Sequence, residues 1–135
     1  MSKFIYRLLV YCSGLIMGII LVIIINRHRE AATQINPNEE KTILQKLQKN
    51  PLNIGERALC RMNCRSISKE MVLKVLNTGK INIGKSDQGK EPCDEFLIEG
   101  VSDDGRRLSI SFGGCVNETV VLNIFDMDKN YDCKC

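Results

Sequence analysis

Cysteine is the residue type of this chain most able to do chemistry, because its 135 residues include seven cysteines and a single histidine. Cys12 lies in an apolar segment near the N-terminus, and the other six lie further along the chain. These six are Cys60, Cys64, Cys93, Cys115, Cys133 and Cys135. Cysteines in such number form disulfides or bind zinc. The sequence favours disulfides, because the C-x3-C and C-x-C spacings differ from the paired C-x2-C of common zinc sites. The alternatives are a zinc site of Cys60, Cys64, Cys133 and Cys135, and ordinary free thiols.

A predicted β-hairpin brings two of these cysteines together. Apolar residues alternate along Phe96–Gly100 and again along Leu108–Phe112, and Asp103–Gly105 between them fits a three-residue loop with glycine at its left-handed position. This register puts the large apolar residues of both strands on one face. Extended outward, it also sets Cys93 opposite Cys115. Opposed strand residues have Cα atoms roughly 4.5–5.5 Å apart, which suits a disulfide that would add about 3 kcal/mol of stability.

The other four cysteines are expected to pin the C-terminal tail to a helix. Cys60 and Cys64 share one face of a predicted helix, and Cys133 and Cys135 share one face of an extended tail. Two bridges between these pairs are the economical arrangement. Six cysteines allow fifteen pairings, so the connectivity is a hypothesis. A disulfide framework indicates an oxidising compartment.

An apolar segment near the N-terminus predicts a membrane anchor. Leu8–Ile25 contains 18 residues without a charge, and as a helix it is about 27 Å long, close to the thickness of the hydrocarbon core. The run ends in Asn26–Arg29 and not in a small-residue cleavage site, so an uncleaved anchor is favoured over a signal peptide. Basic residues flank both ends and do not decide the orientation. The predicted disulfides favour a cytoplasmic N-terminus and a C-terminal domain in the periplasm or outside the cell. Gly14 and Gly18 form a GxxxG pattern that would allow a homodimer, although such spacing is common in membrane helices.

The distribution of charge argues against nucleic-acid binding. The net charge of +3 arises entirely within residues 1–35, because residues 36–135 contain 15 basic and 15 acidic groups. A neutral domain lacks the positive excess that drives binding to phosphate backbones. The one histidine, His28, adjoins the apolar segment, so no histidine-based catalytic set is available to the domain. The sequence predicts no catalytic residue, no resident metal and no cofactor.

Three segments are expected from these patterns. Residues 1–29 form the anchor with its basic flanks, residues 30–55 form a linker with a short helix, and residues 56–135 form a small disulfide-rich domain. In that domain Glu56–Asn63 and Lys69–Thr78 have helical patterns and precede the strands. The fold class is therefore α+β, with two short helices packed on a three- to four-stranded antiparallel sheet.

The domain resembles the bacterial family named domain of unknown function 4258. The resemblance lies in Arg57–Ile81, with its Arg-Met-x-x-Arg helix and capped second helix, and in Gly100–Leu108 and Thr119–Ile124. It implies the layout of barnase- and RelE-type ribonuclease toxins, and the membrane-tethered, cysteine-rich form looks like a Bacteroidetes-type member. The family pattern opens with His-Ala-x-x-Arg-Met, but this chain has Arg57 in place of that histidine. Four arginines are anion-binding candidates: Arg57, Arg61, Arg65 and Arg106. A solvated or ion-paired helix stripe is the favoured explanation of Arg61 and Arg65.

These observations favour a membrane-anchored extracytoplasmic domain with a binding or structural role. Its expected partners are the lipid bilayer and a protein, with no nucleic acid favoured. One alternative is a ribonuclease-toxin-like enzyme, for which the sequence offers arginines but no evident general base. The other alternative is a zinc-binding module that faces the cytosol.

Overall fold

The computed structural model describes residues 2–31 and 36–135. The chain divides into two compact units, Met1–Gln34 and Ile35–Cys135. Residues 32–35, which belong to the predicted linker, lie outside the described residues. Residues 36–55 of that linker form part of the second unit, because their helix contributes to the core of that unit.

Four helices and five strands are present in the described parts of the chain. The helices are α1 (Ser2–Ala31), α2 (Pro37–Lys49), α3 (Glu56–Arg65) and α4 (Lys69–Thr78). The strands are β1 (Leu52–Ile54), β2 (Lys80–Asp87), β3 (Asp94–Val101), β4 (Arg107–Gly114) and β5 (Thr119–Asp126). The predicted α+β class, with an N-terminal apolar helix, is confirmed.

The first unit is the single helix α1. Its stretch Lys3–Arg27 is long and apolar enough to cross a membrane, and a signal sequence would meet the same criteria of length and composition. Its large apolar side chains are between 49% and 77% exposed. They therefore form a continuous apolar surface that water would solvate poorly.

The second unit contains a mixed sheet of five strands, ordered β1-β5-β4-β3-β2. Neighbouring strands are antiparallel except β1, which runs parallel to β5 and pairs Leu52 with Thr119 and Ile54 with Val121. The predicted sheet of three to four antiparallel strands is wrong in this respect. A strand of three residues is too short to give a recognisable alternation of apolar and polar residues.

The predicted hairpin register between β3 and β4 is confirmed. Phe96 lies opposite Phe112, and Ile98 lies opposite Ile110. Between the strands, the amide of Ser102 donates to the carbonyl oxygen of Arg106 at 2.9 Å. Gly105 has a φ of +82°, the left-handed conformation that this three-residue loop requires.

The core lies between one face of the sheet and the helices. It includes Val72, Val75 and Leu76 of α4 and the alternate residues of the central strands. Helix α2 also contributes, because Leu47 is 1% exposed and its carbonyl oxygen accepts a 2.8 Å hydrogen bond from Thr119 Oγ1. The short helix predicted within the linker is thus a packed element of the domain.

Helix α4 begins with a side-chain N-cap, as the sequence predicts, and it ends at a glycine with an extended backbone. The Ser68 side chain accepts from the amide of Met71 at 3.3 Å, which is an ordinary N-cap. Gly79 follows the helix with a φ of −75°, so it is not in the left-handed conformation that glycine often adopts at the end of a helix. Glycine is needed there for space, because a Cβ would lie 2.7 Å from Ile98 Cγ2 and 2.9 Å from the carbonyl oxygen of Glu99.

The opposite face of the sheet has a different character, and we call it the cavity face. On β4 it carries Ser109, Ser111 and Gly113, which alternate with the core residues. On β5 it carries Val120 and Leu122. The central part of this face therefore combines small residues with apolar ones.

Candidate functional site

A cavity of about 590 Å³ lies on the cavity face of the sheet. Strands β3, β4 and β5, the start of α3 and the loop before β3 enclose it. Its lining residues are Gly55, Glu56, Arg57, Lys90, Glu91, Pro92, Cys93, Glu95, Gly113, Cys115, Glu118, Val120, Leu122 and Asn123. This cavity is the candidate functional site, because its volume falls in the range of roughly 300–1,000 Å³ that is typical of small-molecule pockets.

An irregularity in β5 shapes the floor of the cavity. Ser111 pairs with Asn123 while the next residue, Phe112, pairs with Val121, so Leu122 is an extra residue in the strand. Both Leu122 and Asn123 consequently line the cavity. Gly113 leaves room beside them, since a Cβ at this position would lie 3.4 Å from Leu122 Cδ1.

The Cys93–Cys115 disulfide forms one side of the cavity. The two Cα atoms are 4.8 Å apart, and the bridge closes a sequence separation of 22 residues. These are the two cysteines that the hairpin register places opposite each other. The bridge fixes the loop before β3 to the end of β4, so it holds the cavity wall in place.

Carboxylates outnumber cations in the lining. Glu56, Glu91, Glu95 and Glu118 oppose Arg57 and Lys90, which leaves two negative charges uncompensated. One of these cations already forms an ion pair within the lining, because Lys90 Nζ hydrogen-bonds to the carboxylate of Glu95. This hydrogen bond raises the pKa of Lys90. Asn53 Nδ2 donates to the Glu118 carboxylate. Among the described residues, Glu56 and Glu91 form no ion pair within 4.0 Å.

Of the four arginines considered as anion-binding candidates, only Arg57 lines the cavity. In the described chain its guanidinium forms no ion pair within 4.0 Å. Arg61 lies nearby but is already bound, because its Nη1 donates to Asn123 Oδ1. Its guanidinium carbon also lies 5.1 Å from the centre of the Phe125 ring, a cation–π contact.

Arg65 has a structural position beside the part of β5 that extends beyond its pairing with β1. Its side chain is 9% exposed, and Nη1 donates to the carbonyl oxygen of Ile124. Burial, together with the positive charge of Arg61, lowers the pKa of Arg65. Its Nε has no hydrogen-bond partner in the described part of the chain. The guanidinium lies 5.7 Å from the Phe125 ring and 5.9 Å from the Tyr131 ring.

Arg106 caps the C-terminus of α3. Its Nη1 donates to the carbonyl oxygen of Arg65 at 2.8 Å, and its Nη2 donates to that of Ser66 at 2.9 Å. The Nε atom forms an ion pair with Asp104 Oδ2 at 2.6 Å. Arg106 thereby satisfies carbonyl oxygens that the helix leaves unpaired. Three of the four arginines therefore bind atoms of the protein itself.

The tail beyond β5 is attached to α3 by two disulfides. Cys60 pairs with Cys135 and Cys64 with Cys133, each with Cα atoms 6.0 Å apart. Cys12 in α1 is the one unpaired cysteine of the described residues. In the same part of the chain, no group of three or more His, Cys, Asp or Glu side chains is arranged to hold a metal ion.

A buried carboxylate also fixes the start of this tail. The Asp126 side chain is 0% exposed, and its Oδ1 accepts from the amides of Asp128 at 2.9 Å and Lys129 at 3.2 Å. Arg106 Nη1 lies 3.9 Å from Asp126 Oδ2. These contacts and the disulfides hold the tail against the end of the sheet near α3.

The cavity acids were not identified from the sequence. Glu56, Glu91, Glu95 and Glu118 come from three separate segments of the chain, since Glu91 and Glu95 are four residues apart. They form no motif with a fixed spacing. Only the predicted pairing of Cys93 with Cys115 pointed to the region in which they meet.

Comparison with known proteins gives one match. The family model described as Domain of unknown function (DUF4258) matches residues 54–126, which is more than half of the chain. The match runs from the end of β1 to the end of β5 and includes all of the cavity lining. Curated proteins and solved structures give no match.

Proposed function

Because this chain belongs to the DUF4258 family, whose function is not defined, we propose a function from its own site and its own cysteines. The protein is a binding domain that α1 anchors to a membrane and that the membrane separates from the cytoplasm. The cavity is its binding site. The N-terminus lies on the cytoplasmic side in this proposal.

The pairing of the cysteines is the observation that carries this proposal. All six cysteines of the second unit lie in three pairs at disulfide distance, whereas Cys12 in the apolar helix is unpaired. Structural disulfides persist in oxidising compartments and are rare in the cytosol. An apolar helix followed by a triply bridged domain is the combination expected of an anchored extracytoplasmic protein.

A binding role accounts for the arginines better than the ribonuclease-like alternative does. Arg61, Arg65 and Arg106 are bound to Asn123, to a strand carbonyl and to a helix terminus. They are therefore not available to stabilise the developing charge of a phosphoryl transition state. Of the four, only Arg57 faces the cavity, and it meets an excess of carboxylates there.

Thiol labelling in intact cells tests both the disulfides and the orientation. With a membrane-impermeant maleimide, we expect no labelling of the six domain cysteines before reduction and labelling of all six after it. A zinc site in the cytosol would instead resist the reagent in intact cells and would become reactive in lysed cells after chelation. Labelling of the six in intact cells without reduction would contradict the disulfides.

Two matched variants that each add one cysteine report the orientation directly. Val116 is 84% exposed, so Val116→Cys offers an accessible thiol on the domain, and Ser2→Cys offers one before the apolar segment. We expect labelling of Val116→Cys in intact cells and of Ser2→Cys only after lysis. The reverse result would place the domain in the cytoplasm.

A further inference from the structure

We propose that the cavity binds an organic cation, namely an ammonium or guanidinium group carried on an apolar stem. The inference rests on the proposed binding function and specifies its ligand class. The group belongs to a free amine or to a basic side chain of a polypeptide. The shape of the cavity, its floor and its charge each lead to this class.

The floor of the cavity provides the surface for the apolar stem. Val120 and Leu122 of β5 and Pro92 of the preceding loop are apolar, and Gly113 leaves space between the strands. Leu122 remains 37% exposed, so part of its side chain is available for contact. Burying this surface under an aliphatic stem is favourable by about 25 cal/mol per Å² of apolar area.

The charge of the lining selects the head group. An anionic ligand would meet four carboxylates and two cations, one of which, Lys90, is bound to Glu95. A cationic ligand would instead meet Glu56 and Glu91, which form no ion pair within 4.0 Å among the described residues. Low-dielectric walls of a cleft strengthen this preference. A bare metal ion fits poorly, because the carboxylates do not converge in groups of three in the described chain.

Arg57 makes the proposal more specific, because it is the cation of the lining that has no carboxylate partner within 4.0 Å among the described residues. If the ligand is cationic, Arg57 repels it, and Arg57→Gln strengthens binding. If the ligand is anionic, Arg57 attracts it, and the same substitution weakens binding. The sign of this effect therefore distinguishes the two ligand classes.

The test uses the full chain in lipid nanodiscs and probes of defined charge. The peptide probes are acetyl-Leu-Lys-amide and its Gln and Glu analogues, and pentylamine represents a free amine. Amide and methyl chemical shifts of Gly113, Val120 and Leu122 report occupancy of the cavity, and empty nanodiscs correct for partitioning into lipid. Comparison of the lysine peptide with pentylamine distinguishes the two sources of the cation.

We expect the lysine peptide or pentylamine to bind at these three residues and the Glu peptide to bind more weakly. Glu91→Gln and Glu56→Gln should each weaken cation binding by about two- to fivefold, the range for exposed charge pairs. Arg57→Gln should strengthen it by a similar factor. Glu39→Gln is the matched control, because Glu39 is exposed in α2 and does not line the cavity.

Three results would overturn the inference. The cationic ligand class would be rejected if the Glu peptide bound as tightly as the lysine peptide or more tightly, or if Arg57→Gln weakened cation binding. The cavity would still be a binding site in either case. Unchanged shifts at the three floor residues with every probe would reject the cavity as the site of this ligand. None of these results affects the membrane topology of the proposed function, because thiol labelling tests that topology separately.

Discussion

The two faces of the sheet differ most clearly along a single strand. On β4, Leu108, Ile110 and Phe112 are all 0% exposed and point into the core beneath the helices. Their neighbours Ser109 and Ser111 point to the other face, where small polar side chains replace large apolar ones. Alternate residues of one strand therefore serve two purposes. One face stabilises the fold, and the other leaves space at the surface.

The charges follow the same division. The helix-covered face is filled by apolar side chains from α2, α3, α4 and three strands. The cavity face has an apolar floor surrounded by carboxylates. This difference teaches that a domain without net charge can concentrate negative charge in one place, because basic residues elsewhere in the domain balance the negative surplus at the cavity.

Substitutions of two adjacent residues of β4 test the comparison with the largest expected effect. Phe112→Ala should lower the free energy of unfolding by about 3–5 kcal/mol, because it removes a fully buried ring from the core. Ser111→Ala should change it by about 1 kcal/mol or less, because it removes a single small hydroxyl group, 6% exposed, from the face opposite the core. Urea unfolding of the full chain in detergent, followed by circular dichroism, measures both. A cost above 2 kcal/mol for Ser111→Ala would show that the cavity face also stabilises the fold.

Removal of the disulfide beside the cavity should have the next largest effect. Replacing Cys93 and Cys115 together with serine releases a loop of 22 residues in sequence separation, and the loop-entropy model gives a loss of about 3 kcal/mol. The same variant should bind the cationic probe more weakly, since both residues line the cavity. The same unfolding and chemical-shift measurements check these two effects. Weaker probe binding without a loss of stability would mean that the bridge only shapes the site.

The hairpin could be predicted from sequence because its signals are local and agree. The alternating apolar residues determine which face of each strand is buried, and Gly105 determines the length of the loop. The pairing of β3 with β4 follows from these two constraints. The same register predicted that Cys93 lies opposite Cys115. A pattern that satisfies two independent constraints over a short stretch leaves few alternatives.

Elements that depend on distant parts of the chain could not be predicted in the same way. β1 has three residues and exists as a strand because β5, more than 60 residues away, pairs with it. Helix α2 has an apolar stripe that fits a docking face, but only the assembled sheet buries Leu47. The acids of the cavity meet for the same reason, since tertiary packing brings three separate segments together.

Substitution of Arg65 tests the part of β5 that extends beyond β1, where the two faces meet. Its expected effect on stability is intermediate in size. Arg65→Met should lower the free energy of unfolding by about 1–3 kcal/mol, because the carbonyl oxygen of Ile124 loses its donor. Arg61→Met is the matched comparison and should cost less, since Arg61 is less buried and donates to the side chain of Asn123. Urea unfolding of both variants gives the two values. Equal costs would contradict a structural role specific to Arg65.

The smallest effect is expected at Arg107, on the cavity face but at the hairpin-loop end of β4. Its Nε and Nη2 donate to Asp128 Oδ1 at 2.9 and 2.6 Å, and its amide donates to Oδ2 at 3.0 Å. These hydrogen bonds, the side-chain ones first, lower the pKa of the Asp128 carboxyl. A carboxyl whose pKa is lower in the folded state stabilises the fold above its unfolded pKa, which is about 3.9. That contribution is lost as the pH falls through the folded pKa.

Asp128→Asn should therefore destabilise the protein slightly at pH 7 and have a progressively smaller effect below about pH 4. Urea unfolding of the parent and the variant at a series of pH values measures the difference. Arg107→Gln should give the same pH dependence, and the double variant should add little to either single one, because both substitutions remove the same pair. A difference that stayed constant down to pH 2 would mean that the contribution of Asp128 does not depend on its charge. In that case, electrostatic effects on the cavity face would be confined to the cavity.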